Sequence, residues 1–545
     1  MATLDLSPEK MRLAVQAAIK LRREQTDKSD AVLRQYRSDA QWVNHAWEWC
    51  TIMVPHLIYQ RPRVRVSEFG YTDTDTETLQ QGLNGLIEQT RPELVLQQIA
   101  FDLQFDFGVG LIQLSPTPGL KQPNPEFVPM RPELKRVSPR MYFEDAESPK
   151  FGKPRFCGHL EVVTLDELQT KMGEDGQRLY DDDEIAGISG GTIGDVMQDL
   201  SLHDSITVDP QRQTVLAHIF IESDKTLRCM AWGQGSAMYL GQPRQYVGVP
   251  EGPYMRFGAY IDPDQVYPVA PLTVPKKRVE ELMAHQEQAS RDAATAKRFG
   301  VVSSGSPGVI ANLQSCDSGS ILGIPGFNGI FQSVEWGGPM AQTLQYIEHA
   351  QSQLDRMTGL NNPMRGNITG DATATENALA GQFADVRLKY TQNVFTRDVG
   401  ETFRRMAWMM DSIESVVFPV IGTDPSGQKF RGTFYGGKDE AASPSPWKRA
   451  STVTIEPYSM EYVNQTALRA QMIQAQQWIL QLAQAAASGV PVNVQSMTDD
   501  LLQTLNIPEA AGRYLLSATQ MFAATMARGQ QPGTPQAQPQ PAMAG

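Results

Sequence analysis

Four stretches carry residue types in spacings that could do chemistry. Asp181-Asp182-Asp183-Glu184 sets four carboxylates side by side, a composition that suits a divalent cation. A calcium loop spaces its oxygens over about twelve residues around a turning glycine, and this run does neither, so it reads as a solvated loop. Gly190-Gly191-Thr192-Ile193-Gly194 is glycine-rich but has no lysine to meet a phosphate. Phe107-Gly108-Val109-Gly110 opens like a dinucleotide fingerprint, yet its third glycine is missing and a strand pattern follows where that motif requires a helix. The fourth stretch, Leu360 to Ala372, gathers Asn361, Asn362, Met364, Arg365 and Asn367 between glycines. Asparagines there can form the turns themselves or offer hydrogen bonds to a ligand.

Nothing else assembles a catalytic constellation. The histidines, His45, His56, His159, His203, His218, His285 and His349, are dispersed, and HExxH, GxSxG and a lysine-bearing phosphate loop are all missing. Cys50, Cys157, Cys229 and Cys316 form no CxxC pair, which suggests neither a zinc site nor a disulfide framework and fits a reducing compartment. No catalytic residue, metal or cofactor is expected.

The elements that must hold these stretches follow from composition and periodicity. With 545 residues, 41% hydrophobic and 20% charged, the chain has room for three or four folded domains. The opening MATLDLSPEKMRLAVQ is a capped helix without the layout of a signal peptide. No apolar run approaches the ~18 residues that cross a bilayer. Net charge is -13, and Lys171 to Arg212 holds ten acidic residues against three basic, a net of -7. Such a chain has no basic footprint for nucleic acid.

Residues 1 to about 60 read as helices, with Ser7 as cap and Pro8 in the first turn. Tyr59 to Val66 alternates Arg and Val, a half-buried strand with a solvated arginine face. A helix from about Arg91 to Asp106 leads into a strand; Val137 to Asp145 reads as a strand, and His159 to Leu168 as a strand running into a capped helix. Residues 214–268 are β-rich, so an α+β domain of about 270 residues is expected. Then comes an Ala-rich helix to Lys297, a Gly/Ser-rich segment at 299–338 with three short strand-like runs, and a helix with Met340, Leu344, Ile347, Leu354 and Met357 on one face, stopped at Gly359.

Thr373 to Glu376 is a capping box opening a helix of about 40 residues, roughly 60 Å long. Its apolar stripe runs Leu379, Phe383, Val386, Tyr390, Val394 and resumes as Phe395, Val399, Phe403, Met406, Met410, Ile413. That one-residue slip, with Gly400 beyond it, predicts a kink or a change of packing partner near Val394. Residues 426–458 read as strands and turns. Residues 464–487 form an amphipathic helix with Leu468, Met472, Ala475, Ile479 and Leu482 on one face, shorter helices follow around Asp500 and Tyr514, and the Pro/Gln-rich end is expected to be disordered.

This order of parts resembles the portal proteins of tailed bacteriophages. The resemblance covers most of the chain and rests on Tyr59-Gln-Arg-Pro-Arg-Val, on Gly108-Val-Gly110 after an amphipathic helix, on Val137-Ser-Pro-Arg-Met-Tyr-Phe-Glu-Asp145, and above all on Thr358-Gly-Leu through Asp371-Ala-Thr-Ala-Thr-Glu376 before a long helix. It implies an α+β, multidomain subunit: a wing at 1–272, stem helices at 273–297 and 339–358, a small β-containing clip at 298–338 and a channel loop at 359–372. A long kinked helix and wing return at 373–463, a helical crown at 464–528 and a disordered tail at 529–545 would complete it.

It further implies a homo-oligomeric, twelve-membered ring at the unique capsid vertex of the virion, assembled in the host cytoplasm, a conduit for DNA packaging and ejection rather than an enzyme. Implied partners are other copies of the chain, double-stranded DNA in the channel, the terminase large subunit and then the tail adaptor at the clip, and the major capsid and scaffolding proteins, with no membrane. Asn361, Asn362, Met364, Arg365 and Asn367 would face DNA; Arg298, Asn312, Gln314, Asp317, Phe327 and Asn328 would face terminase and adaptor. One cation per loop limits the salt-dependent grip on phosphates. An acidic channel is also expected of the family, but Lys276 to Arg356 carries seven basic and eight acidic residues, nearly neutral. Another virion structural adaptor, or a metal-dependent hydrolase using the 181–184 cluster, are the alternatives.

Overall fold

The computed structural model describes residues 6–37, 44–67, 73–118, 128–146, 154–170, 180–188, 213–232, 237–262, 265–303, 321–324, 332–336, 340–359, 374–423, 429–436, 452–455, 460, 473, 477 and 478. The chain divides into two units, Met1–Ile58 with Val66–Thr454, and Tyr59–Arg65 with Ile455–Gly545.

The first unit has an α+β body. Helix α1 (Pro8–Arg37) begins on the proline that the sequence places in its first turn, and buries Met11, Val15, Ala18, Arg22, Ser29 and Val32 along one stripe. Helix α2 (His45–Leu57) is capped by the Asn44 side chain, which accepts from the Trp47 amide at 2.9 Å. In strand β1 (Val64–Ser67), where the chain crosses between the units, Val64 and Val66 are buried and Arg63 and Arg65 exposed, the alternation expected. Helix α3 (Asp73–Thr90), which the sequence pattern did not announce, precedes α4 (Pro92–Phe105).

Seven strands and two short helices follow: β2 (Gly108–Pro116), β3 (Met130–Val137), β4 (Tyr142–Glu144), β5 (Phe156–Thr164), α5 (Leu165–Thr170), α6 (Asp182–Ile188), β6 (Gln213–Ile221), β7 (Thr226–Trp232) and β8 (Ala237–Gln245). Strand β9 (Tyr254–Phe257) joins a three-stranded antiparallel sheet ordered β3-β2-β9, beside a five-stranded antiparallel sheet ordered β4-β5-β6-β7-β8. One face of the larger sheet packs Phe143, Phe156, Leu160, Val215, Ala217, Ile219 and Met230 against Met11, Val15 and Ala18 of α1. Tyr142, Cys157 and Phe220 lie instead with Phe107, Val109, Tyr254 and Tyr267 in a second core.

Two local expectations need correction. Val137 to Asp145 is two strands, because a turn at Ser138–Met141, held by the Met141 amide on the Ser138 carbonyl at 2.9 Å, separates β3 from β4. The 181–184 acids are a helix start, not a loop: α6 opens at Asp182, and carboxylates in a first turn face the positive end of the helix dipole. The strand-to-helix reading at His159–Leu168 stands. Thr164 Oγ1 accepts from the Glu167 amide at 3.1 Å and Glu167 returns the bond to the Thr164 amide at 2.9 Å, a reciprocal capping box.

Beyond the body come α7 (Lys276–Thr295), β10 (Lys297–Ser303), β11 (Ile321–Ile324), β12 (Gln332–Trp336), α8 (Ala341–Thr358) and the 39-residue α9 (Ala374–Ser412), then the hairpin β13 (Val417–Thr423) and β14 (Lys429–Tyr435), and β15 (Thr452–Ile455). Helix α9 is continuous through Val394 and Gly400. Its buried face includes Leu388, Thr391, Gln392, Phe395, Val399, Thr402, Phe403, Met406 and Met410, an unbroken three-and-four spacing that buried Ile413 extends just past the helix end. Tyr390 is 52% exposed and Val394 half-buried. The helix therefore runs through the expected slip without a break, and Tyr390 and Val394 stand off the face buried from Leu388 onward; the side chains of 379–387, which carry the first half of the expected stripe, lie outside the described residues.

In the second unit the Tyr59 and Gln60 amides donate to the Met460 carbonyl at 2.7 and 3.2 Å. Ile473, Gln477 and Trp478 are helical, with Ile473 and Trp478 exposed. Leu468, Met472, Ala475, Ile479 and Leu482, the helices expected around Asp500 and Tyr514, and the Pro/Gln-rich end fall outside the described residues.

Candidate functional site: a helical hairpin with a β-module

The clearest departure from an ordinary α+β body is the segment from Pro275 to Gly359. Helix α7 is Ala-rich, and α8 meets it through a narrow contact in which Val279 and Leu282 face Ala350 and Leu354, flanked by half-buried Met283, Tyr346 and Ile347. The small Ala350 permits close approach. Met340, Leu344 and Met357, expected on the same face, are exposed. Among the described residues, most of the hairpin surface thus remains unburied.

Polar contacts lock the pair in register. Tyr346 donates its hydroxyl to Glu281, whose other oxygen accepts from Arg278 at 2.8 Å, and the His285 ring meets Tyr346 edge-on at 4.7 Å. The Tyr346 bond, with Arg278 behind it, holds the Glu281 carboxyl below its ordinary range, and the bond to Glu281 pushes the Tyr346 phenol up against the opposing pull of Arg278.

At the far end the helices run into strands. Lys297 stands opposite Trp336, so the antiparallel pair β10–β12 prolongs the antiparallel helices, and β11 adds parallel to β10 from Gly300↔Ile321 to Ser303↔Ile324. The three strand-like runs of the sequence form this one sheet, ordered β11-β10-β12. Arg298 lies on β10 opposite Glu335. Asn312, Gln314, Asp317, Phe327 and Asn328 fall outside the described residues.

At the near end Gly359 takes φ 81°, the left-handed conformation expected of it, and its amide donates to the Asp355 carbonyl at 2.7 Å. Asn361, Asn362, Met364, Arg365 and Asn367, like Thr373 of the capping box, lie outside the described residues. Helix α9 starts at Ala374, one residue past Thr373. Its C-terminal half is fixed in the body: Phe395 packs on Phe257 with ring centroids 5.8 Å apart, and Arg405 donates to the Tyr254 and Gly252 carbonyls at 3.0 and 3.3 Å.

The other candidate chemistry fares differently. Glu184 accepts from the Gly241 amide at 3.2 Å and the Asp181 amide at 3.4 Å, which ties α6 to β8. Among the described residues no group of three His, Cys, Asp or Glu side chains is placed to hold a metal ion. Gly190 to Gly194 lies outside the described residues. Among those described, no helix is long and apolar enough to cross a membrane.

Sequence pattern missed a set of buried ion pairs. Arg22 donates to Asp106 and, at 3.1 Å, to the Pro139 carbonyl, with its guanidinium over the Phe107 and Tyr267 rings at 4.5 and 5.0 Å. Arg136 grips Asp102 at 2.6 and 2.7 Å, and Arg256 reaches Glu144 at 2.9 Å. Asp30, Asp102, Asp106, Arg136 and Arg140 border a cavity of about 260 Å³. Burial pushes Asp102 up to about 6 despite Arg136, and raises Asp106 and Glu144 as well. The available signal was two carboxylates four residues apart on a helix that is otherwise largely apolar.

No protein-family model matches the chain, and no curated protein matches it in sequence.

Proposed function

We propose that this chain is the subunit of a phage portal: a homo-oligomeric ring that conducts double-stranded DNA and docks first the terminase and then a tail adaptor. In this reading α7 and α8 are the stem, β10–β12 the core of the clip, the segment between Gly359 and Ala374 the channel loop, and the body with α9 the wing. The observation that carries it is the succession of helix, β-module, helix and then a 39-residue helix that returns to bury its second half in the body. A hairpin whose own contact uses four small or medium side chains leaves its remaining flanks for neighbours, as a subunit in a ring requires.

The test is direct. Purified protein imaged as single particles should give end views with a central opening and a fixed number of repeats. Monomers or dimers alone under all assembly conditions would sink the reading.

A further inference from the structure

Among the described residues the β-module has three strands and two outer edges. Among the described residues no strand pairs with the outer edge of β11 or with that of β12. Such edges leave backbone N–H and C=O groups ready to accept another strand, and proteins that need to stay single blunt them with charges, prolines or bulges. Strand β11, Ile321-Leu322-Gly323-Ile324, carries none of these devices. Strand β12, Gln332-Ser333-Val334-Glu335-Trp336, has one charge, Glu335, which already stands opposite Arg298.

We infer that the outer edge of β12 in one copy pairs with the outer edge of β11 in the next, so that the modules join into one continuous β-belt at the tip of the hairpins. The inference rests on the ring reading above. The occupant is a second copy because one small sheet carries both halves of the junction. A foreign strand would satisfy one edge and leave the other open, whereas head-to-tail repetition about an axis satisfies every edge and closes. Strand directions agree with this. Strand β11 runs parallel to β10 and β12 runs against it, so β12 meets the next β11 antiparallel, the more stable arrangement. Three strands at ~4.8 Å add ~14 Å of belt per copy, and twelve copies would give a belt ~55 Å across before strand tilt widens it.

Disulfide trapping tests the junction. Within one copy β11 and β12 flank β10 and stand ~9–10 Å apart, beyond the ~7 Å limit for a disulfide, so any bond between them joins two copies. Leu322→Cys is combined in turn with a cysteine at Gln332, Ser333, Val334, Glu335 or Trp336, in a chain carrying Cys229→Ser and Cys316→Ser. Each variant is imaged for rings, oxidised and run on a denaturing gel. The belt predicts a ladder from dimer upward for one or two pairings, with the corresponding single-cysteine chains remaining monomeric on the gel. Rings in the images with no ladder for any pairing would overturn the belt and leave the portal reading standing. Failure of the parent chain itself to form rings would remove the portal reading and the belt with it.

Discussion

Asp102 is 7% exposed in the last turn of α4, and its charge is tolerated because Arg136 meets it with two parallel bonds. The carboxyl is nevertheless raised to about 6, above the ~3.9 of an unfolded chain, so its charge costs the folded state. Its favourable contribution is complete below ~3.9 and is lost as pH rises through about 6. Arg136→Ala removes the compensation. Breaking a buried pair costs ~3–5 kcal/mol, and about 2–3 is expected here because Arg136 itself is one-third exposed. Chemical denaturation should show the full loss at pH 8 and a clearly smaller one at pH 5, where Asp102 can take up a proton. Equal losses at the two pH values would mean that a different group is left uncompensated.

The sequence of α9 offers two apolar stripes, and among the described side chains the body buries the one that begins at Leu388. Phe403 is buried on it and Tyr390 is half exposed, stacked on Tyr260 at 6.2 Å. Phe403→Ala should cost about 3–5 kcal/mol of stability, and Tyr390→Ala less than about 0.5, when both are compared by denaturation. Comparable losses would restore the slipped stripe and its kink. The start of this helix was legible because Thr373 and Glu376 have the spacing of a capping box, and the stop of α8 at Gly359 because only glycine enters a positive φ freely. The choice of buried face was not: both stripes are apolar at helical spacing, and burial depends on β2, β3 and β9, which are remote in sequence. For the same reason the strands of the β-module were visible as short apolar runs, while the parallel pairing of β11 with β10 depends on contacts that no local pattern encodes. Arg365 and its neighbouring asparagines were picked out by type and spacing alone.

At the scale of the molecule, charge is unevenly placed: Lys171 to Arg212 carries a net of -7, while α7 and α8 together hold nearly balanced charges. A nearly neutral hairpin neither repels nor grips a polyanion strongly, which leaves the single cation of each loop as the point of contact in the proposed ring. Arg365→Ala should leave ring assembly intact and alter DNA packaging or retention, scored by particle imaging and by the DNA content of assembled heads. A failure of assembly instead would give that side chain a structural part.

Helix α9 has one further property, which is mechanical. A continuous helix of 39 residues spans ~58 Å and has no slack along its axis. A pull or push delivered at Ala374 is therefore taken up in shear along the Phe395–Ile413 face and at the Arg405 bonds to Tyr254 and Gly252, many contacts loaded together rather than peeled one by one. The strand receiving that load, β9, is hydrogen-bonded to β2, so traction at Ala374 reaches the three-stranded sheet without first unwinding the helix.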